Sequence, residues 1–208
     1  MVKQWSLERT AIYHHYNNIT LMQEDSHWFR GGLTNPDLKS LAMELGGKEG
    51  VVDIGCGPGL IAIELSPVVK KYVGIEINDT CLKSCNQVLE ENQIPNAVFL
   101  KQDIELEWTN EFKDEIEDCN ICYLGSTLCM LEDPKSVLLN LIDNFEYIYA
   151  DRLNYGTNTI KEYNHWAGMD KESVHWRLSD DFFSDITNDD RVKELTRPSN
   201  NSILIKKD

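Results

Sequence analysis

The sequence predicts an α/β protein built on a doubly wound, mostly parallel sheet. The observation that predicts it is a regular alternation of short apolar runs with helical stretches, which begins at Val51. The first strands are predicted at 51–54, 72–77 and 97–100, with helices at 60–65 and 80–91 between them. Because parallel neighbours need a crossover connection, this alternation favours right-handed βαβ units with helices on both faces.

The alternation continues after an acidic segment at 103–118, for which we predict a solvated loop with a short helix. Further strands are predicted at 120–124 and 145–150, on either side of a helix at 137–142 that Asp133-Pro134 opens. Residues 152–190 show no clean period. The last segments, 192–195 and 203–205, flank the turn 198–201 and predict a terminal hairpin that inserts one antiparallel strand. The expected sheet therefore has seven strands.

Two helices are predicted ahead of the first strand. One covers residues 6–23 at imperfect helical spacing, and the second begins at Asn35-Pro36 and ends at Gly46-Gly47. At 208 residues, one domain with a cap or insertion is expected rather than two full domains.

The charge balance excludes several classes of partner. Lys plus Arg number 20 against 35 Asp plus Glu, a net charge of -15, which repels nucleic acid and anionic lipid. No apolar run approaches the ~18 residues of a membrane span. The six cysteines form no regular framework and the amino terminus lacks a secretory pattern, so free thiols in the cytoplasm are expected.

The segment 51–59 is the most informative part of the chain. An apolar strand containing Asp53 runs directly into Gly55, Gly57 and Gly59 and then into a helix. Glycines at such a turn let a ligand approach the backbone at the carboxyl end of the sheet, although a tight turn without a ligand would also use them. Position 60 is Leu60, so the pattern is G-x-G-x-G rather than the dinucleotide fingerprint G-x-G-x-x-G.

This segment resembles the first motif of the class I S-adenosylmethionine-dependent methyltransferases. Glu76 ends the next predicted strand where that family has its ribose-binding acid, and Asp103 follows the third strand where it has its adenine-binding acid. The resemblance implies a Rossmann-like methyltransferase fold that binds S-adenosylmethionine and releases S-adenosylhomocysteine. The implied cofactor-binding residues are Asp53, Gly55, Cys56, Gly57, Gly59, Glu76, Ile77, Asp103, Ile104 and Arg30.

A second segment, Glu24 to Gly31, resembles an E-x-x-H-W-W-F-R motif of small-molecule members, with one Trp in place of two. It implies an N-terminal helical lid at 1–48 and a catalytic domain at 49–208 with a substrate-side insertion at about 152–190. Arg30 would pair the methionine carboxylate, and His27 is the candidate general base. The candidate acceptor-binding residues are Tyr13, Tyr16, Trp28, Asp151 and Tyr155.

The expected activity is methyl transfer to an O, N or S atom of a small molecule, with no nucleic-acid or membrane partner. Two alternatives stay open: methylation of a protein or peptide that the acidic surface docks, and a catalytically silent member that binds the cofactor for regulation. Cys119-x-x-Cys122 is not expected to bind zinc, because its odd spacing in a strand points the thiols to opposite faces and no second pair exists.

Overall fold

The structure is a computed structural model that describes residues 36–45, 47–165 and 172–208. The described residues form two compact units that divide between Cys119 and Asn120. No helix in these ranges is both long and apolar enough to cross a bilayer.

The first unit alternates helices and strands as predicted. Its elements in chain order are α1 (Pro36–Glu44), β1 (Gly50–Ile54), α2 (Ile61–Leu65), β2 (Lys71–Glu76), α3 (Asp79–Asn92), β3 (Ala97–Lys101) and α4 (Asn110–Ile116). Strand β1 pairs in parallel with β2, and β2 pairs in parallel with β3. All five residues of β1 are buried, which is typical of a parallel strand covered on both faces.

The second unit contains the remaining strands of the sheet and a separate pair of strands. Its elements are β4 (Cys119–Gly125), a 3-10 helix (Leu128–Met130), α5 (Pro134–Asn144), β5 (Tyr147–Asp151), β6 (Ile160–His165), β7 (Glu172–Arg177), α6 (Asp180–Thr187), β8 (Val192–Thr196) and β9 (Ile203–Lys207). Strands β4 and β5 are parallel, whereas β9 is antiparallel to both β5 and β8. Strands β6 and β7 form a separate antiparallel hairpin.

Seven strands belong to one mostly parallel sheet, in the order β3-β2-β1 within the first unit and β4-β5-β9-β8 within the second. This confirms the predicted α/β fold class and the inserted antiparallel strand.

Residues 152–190 contain regular structure that the sequence did not predict, whereas the acidic segment contains the short helix that was predicted. Residues 152–190 contain the β6–β7 hairpin and α6, which buries Phe182, Phe183 and Ile186. The acidic segment contains α4, whose Thr109 side chain accepts a hydrogen bond from the Phe112 N–H at 3.2 Å. In both segments only a few apolar side chains provide the packing. The many charged residues beside them conceal the periodic spacing of the hydrophobic residues.

Candidate active site

The glycine turn between β1 and α2 adopts a backbone that other residues rarely take. Gly55, Gly57 and Gly59 have φ angles of 71°, 56° and 79°, which lie in the left-handed region that favours glycine. The N–H groups of Gly55 and Cys56 both donate to the carbonyl of Ile75, at 2.9 and 3.1 Å. The turn is therefore fastened to β2.

Two of these glycines serve different purposes. A Cβ at Gly59 would lie 2.7 Å from the Phe99 ring and 3.0 Å from the Cys85 sulfur, whereas a Cβ at Gly57 would meet nothing within 4 Å. Gly59 is thus required for close packing. Gly57 instead borders open space, which a turn used only for packing would not need.

Glu76 closes one side of that space. Its Oε2 accepts from the Gly57 N–H at 3.0 Å, and its Oε1 accepts from the N–H groups of Ile77 at 2.7 Å and Asn78 at 3.0 Å. Burial raises the pKa of this carboxyl, and the three backbone donors partly oppose that rise. The structure therefore brings the predicted acid of β2 directly to the predicted glycine turn.

Asn78 fixes the helix that follows Glu76. Its side chain is 6% exposed, and its Oδ1 accepts from the Cys81 N–H at 3.0 Å, which caps the start of α3. Sequence reasoning missed this residue, although an Asn immediately before a helix is a recognisable N-cap signal.

Asp53 lies inside the sheet rather than at its edge. It is 1% exposed, and the hydroxyl of Tyr72 donates to its Oδ2. Burial, and next the charge of Asp53, raise the pKa of Tyr72 well above its ordinary value. Tyr72 therefore stays protonated and acts as the hydrogen-bond donor of this pair.

Replacing Tyr72 by phenylalanine removes one donor from a buried carboxylate. We expect the free energy of unfolding to fall by about 1–3 kcal/mol, measured by urea denaturation. The control is Tyr147→Phe, because Tyr147 is half-buried and its ring packs under Lys206 instead. Equal losses in the two variants would show that the Asp53 hydrogen bond contributes nothing specific.

Asp103 and Ile104 follow β3 and are 7% and 6% exposed. The Asp103 Oδ1 accepts from the Glu105 N–H at 3.0 Å. The side chain of Gln102 crosslinks this loop, since its Nε2 donates to the Asp103 carbonyl at 2.6 Å and its Oε1 accepts from the Thr109 N–H at 3.1 Å. The beginning of the acidic loop is therefore buried and fixed, not solvated, and sequence reasoning did not identify Gln102.

The three motifs leave the same edge of the sheet. Ile54 pairs with Ile75, and Glu76 pairs with Lys101, so the carboxyl ends of β1, β2 and β3 are aligned.

Thiols line the inner side of the turn: the Cys85 sulfur donates to the Gly57 carbonyl at 3.1 Å, and burial raises the pKa of Cys56. The site thus combines a neutral wall with two carboxylates.

The candidate acceptor residues of the second unit have separate surroundings. Asp151 accepts from the Tyr123 hydroxyl at 3.0 Å. Tyr155 stacks on Phe183 with 5.5 Å between ring centroids, and burial raises its pKa to about 12. The other predicted residues, Tyr13, Tyr16, His27, Trp28 and Arg30, lie outside the described residues, as does most of the predicted lid.

Comparison with known proteins is consistent with this site. A family model described as a methyltransferase domain matches residues 46–173. Among solved structures, magnesium protoporphyrin IX methyltransferase from Synechocystis PCC 6803 with bound S-adenosylmethionine is 13% identical, with a TM-score of 0.65 and 98% of each chain covered. A Clostridium acetobutylicum S-adenosylmethionine-dependent methyltransferase is 11% identical, with a TM-score of 0.60 over 92% of this chain and 98% of that chain.

Curated relatives match over shorter stretches. An uncharacterized RNA methyltransferase of Chlamydia trachomatis is 36% identical over 55 residues, which is 26% of this chain and 14% of that protein. One of Staphylococcus epidermidis is 31% identical over 71 residues, 33% of this chain and 16% of that protein. The match thus spans less than a fifth of the length of these relatives.

The family match covers more than half of the chain and includes the glycine turn, Glu76 and Asp103. It confirms the methyltransferase family predicted from those residues. The chain belongs to the methyltransferase-domain family.

Proposed function

We propose that this protein transfers the methyl group of S-adenosylmethionine to a small-molecule acceptor. The observation that carries the proposal is the open space beside Gly57, bounded by the carboxylate of Glu76. A nucleoside fits such a cradle, because the turn lets it approach the backbone and the carboxylate can accept from ribose hydroxyls.

Each predicted cofactor residue has a role in this proposal. Glu76 is half-buried, and it keeps acceptor capacity beyond its three backbone donors because a carboxylate offers about four lone-pair sites. Asp103 and the N–H of Ile104 would recognise the adenine edge. Asp53 would act indirectly, by holding β1 to β2 through Tyr72. The remaining proposed contacts are made by Gly55, Cys56, Gly59, Ile77 and, in the lid, Arg30.

When bound, S-adenosylmethionine supplies a methyl group activated by its sulfonium. The chain's own task is then to align the acceptor and to exclude water, which is catalysis by proximity and orientation. His27 is proposed as the base for an acceptor that must lose a proton, and Tyr13, Tyr16, Trp28, Asp151 and Tyr155 as its surroundings.

The acceptor class rests on charge and on fold neighbours. A net charge of -15 opposes a polyanionic substrate, because repulsion must be overcome before counterion release contributes. The Synechocystis structure that aligns with 98% of the chain is a methyltransferase of magnesium protoporphyrin IX. A second candidate is RNA methylation, which the names of the Chlamydia and Staphylococcus relatives favour.

Label transfer distinguishes these candidates. The protein is incubated with methyl-labelled S-adenosylmethionine and, in separate reactions, with a small-molecule extract, total RNA and a mixture of peptides and proteins. We expect labelled product only with the small molecules, with an equal amount of S-adenosylhomocysteine formed. Label in RNA would establish the second candidate, label in protein would support peptide methylation, and cofactor binding without label transfer would indicate a silent member.

Cofactor affinity should fall on acidification. Burial raises the pKa of Glu76, so this carboxyl takes up a proton at a higher pH than an exposed glutamate, whose pKa is about 4.3. A protonated carboxyl accepts less strongly from ribose hydroxyls, and the dissociation constant should therefore rise as the pH falls through the raised pKa of Glu76. Calorimetric titrations at several pH values measure it.

The matched variants for this profile are Glu76→Gln, which should flatten it, and Glu64→Gln on α2, which should leave it unchanged. A profile that persists in Glu76→Gln would assign the pH dependence to another group.

A further inference from the structure

The carboxyl end of β5 carries an arginine in a strained backbone. Arg152 follows Asp151 with a φ of 53°, a left-handed conformation that a non-glycine residue rarely takes. Ser126, which follows β4, has a φ of 62°, and its N–H donates to the Asp151 carbonyl at 3.1 Å. Such conformations persist where the surrounding structure imposes them, and they are common at functional sites.

The guanidinium of Arg152 is held from one side. Its Nε donates to Asp151 Oδ1 at 3.3 Å and its Nη2 donates to the Tyr123 hydroxyl at 3.0 Å. Tyr123 is 0% exposed, and its own hydroxyl proton goes to Asp151 Oδ1. A buried phenol and a carboxylate therefore fix the direction of the cation, so that little conformational freedom is left to lose when it binds a ligand.

The terminal nitrogens of Arg152 have different partners from those of the other arginines that the structure describes. Arg177, Arg191 and Arg197 each place a terminal nitrogen on a carboxylate, as in the 2.7 Å pair of Arg177 with Glu162. Among the residues that the structure describes, Arg152 meets a carboxylate only through Nε, although its side chain is 40% exposed and the chain has an excess of 15 negative charges. Nη2 already gives one N–H to the Tyr123 hydroxyl, so Nη1 and the second N–H of Nη2 are the donors available for an incoming anion.

We propose that Arg152 recognises a carboxylate or phosphate group of a small ligand, and that Tyr123 positions it for this purpose. The ends of parallel strands are where α/β sheets bind ligands, and a guanidinium can pair with two oxygens of one anionic group. The ligand is the methyl acceptor, a step that rests on the proposed function. In an acidic protein, one fixed cation would select acceptors that carry a negative group at the matching position.

The first test requires no catalysis. The full chain is treated with the arginine reagent phenylglyoxal, with and without inorganic phosphate or acetate, and modification is followed by peptide mass spectrometry. Arg177 is the internal control, because its side chain is 43% exposed. We expect either anion to slow labelling of Arg152 at least threefold while labelling of Arg177 is unchanged. Stronger protection by phosphate than by acetate would indicate a phosphate group on the ligand, and stronger protection by acetate would indicate a carboxylate. Absence of protection, or equal protection of both arginines, would overturn the proposal.

The second test uses acceptor pairs that differ only in charge. The pairs are 4-hydroxybenzoate with its amide, 3-mercaptopropionate with its amide, and phosphoethanolamine with ethanolamine, each assayed for S-adenosylhomocysteine formation. We expect at least tenfold higher kcat/KM for the anionic member. Arg152→Gln should remove this preference through KM, Arg152→Lys should restore part of it, and Tyr123→Phe should raise KM with little change in kcat.

Arg177→Gln should leave all of these values unchanged. Equal use of charged and neutral members, or a preference that survives in Arg152→Gln, would contradict the assignment. Protection of Arg152 in the first test without methylation of any acceptor would support the anion site and count against the proposed function.

Discussion

Replacing Glu76 by alanine is expected to weaken S-adenosylmethionine binding by about 2 kcal/mol, or about 30-fold. The variant loses the charged acceptor proposed to bind the ribose, and a single hydrogen bond to a charged group is worth about 1.5–3 kcal/mol. In the wild type the Gly57 N–H donates to the Glu76 carboxylate. The variant lacks this hydrogen bond, so the turn is less well positioned for the nucleoside. Calorimetric titration measures the loss.

The control for this experiment is Glu64→Ala, which removes a half-buried glutamate from α2 in the same unit. Its affinity should match that of the wild type. Circular dichroism and urea unfolding establish that both variants fold. Unchanged affinity in a folded Glu76→Ala variant would show that the ribose is bound elsewhere.

A contrast between two glycines should produce the second large effect. Gly57→Ala places a methyl group in the open space beside the turn, where the ligand is proposed to bind. The left-handed φ of 56° costs an alanine about 1–2 kcal/mol, so the fold survives. Cofactor affinity should fall more than about tenfold, a loss of about 1.4 kcal/mol or more.

Gly59→Ala should behave in the opposite way. Its Cβ would lie 2.7 Å from the Phe99 ring, and its φ is 79°, so overpacking adds to backbone strain. We expect the unfolding free energy to fall by about 2–4 kcal/mol, measured by urea denaturation. If Gly57→Ala kept full affinity, the segment would be a packing turn without a ligand.

The first half of the fold could be predicted because its signals are local. A strand such as β1, buried along its whole length, appears in the sequence as a short apolar run that contains Asp53 and that glycines terminate. The β6–β7 hairpin was missed for the converse reason. Its strands, IKEYNH and ESVHWR, mix charged and apolar residues, and their pairing with each other is a property of the chain's long-range geometry.

The site divides in the same way. Glu76 and Asp103 were found because each follows a predictable strand, and the aligned strand ends bring their motifs to one edge of the sheet. Tyr72 and Gln102 were not found, because their roles depend on hydrogen bonds to Asp53 and Thr109 that only strand register and loop closure create. Arg152 likewise resembles any surface arginine until its backbone conformation is known.

Equilibrium binding of S-adenosylmethionine to the full chain measures whether the glycine turn and Glu76 hold the cofactor. We expect one cofactor per chain and weaker binding in Gly57→Ala, whose urea unfolding curve should shift only by the cost of the left-handed backbone at that residue. Absence of binding to the folded wild-type protein, or binding that neither Gly57→Ala nor Glu76→Ala alters, would contradict this expectation.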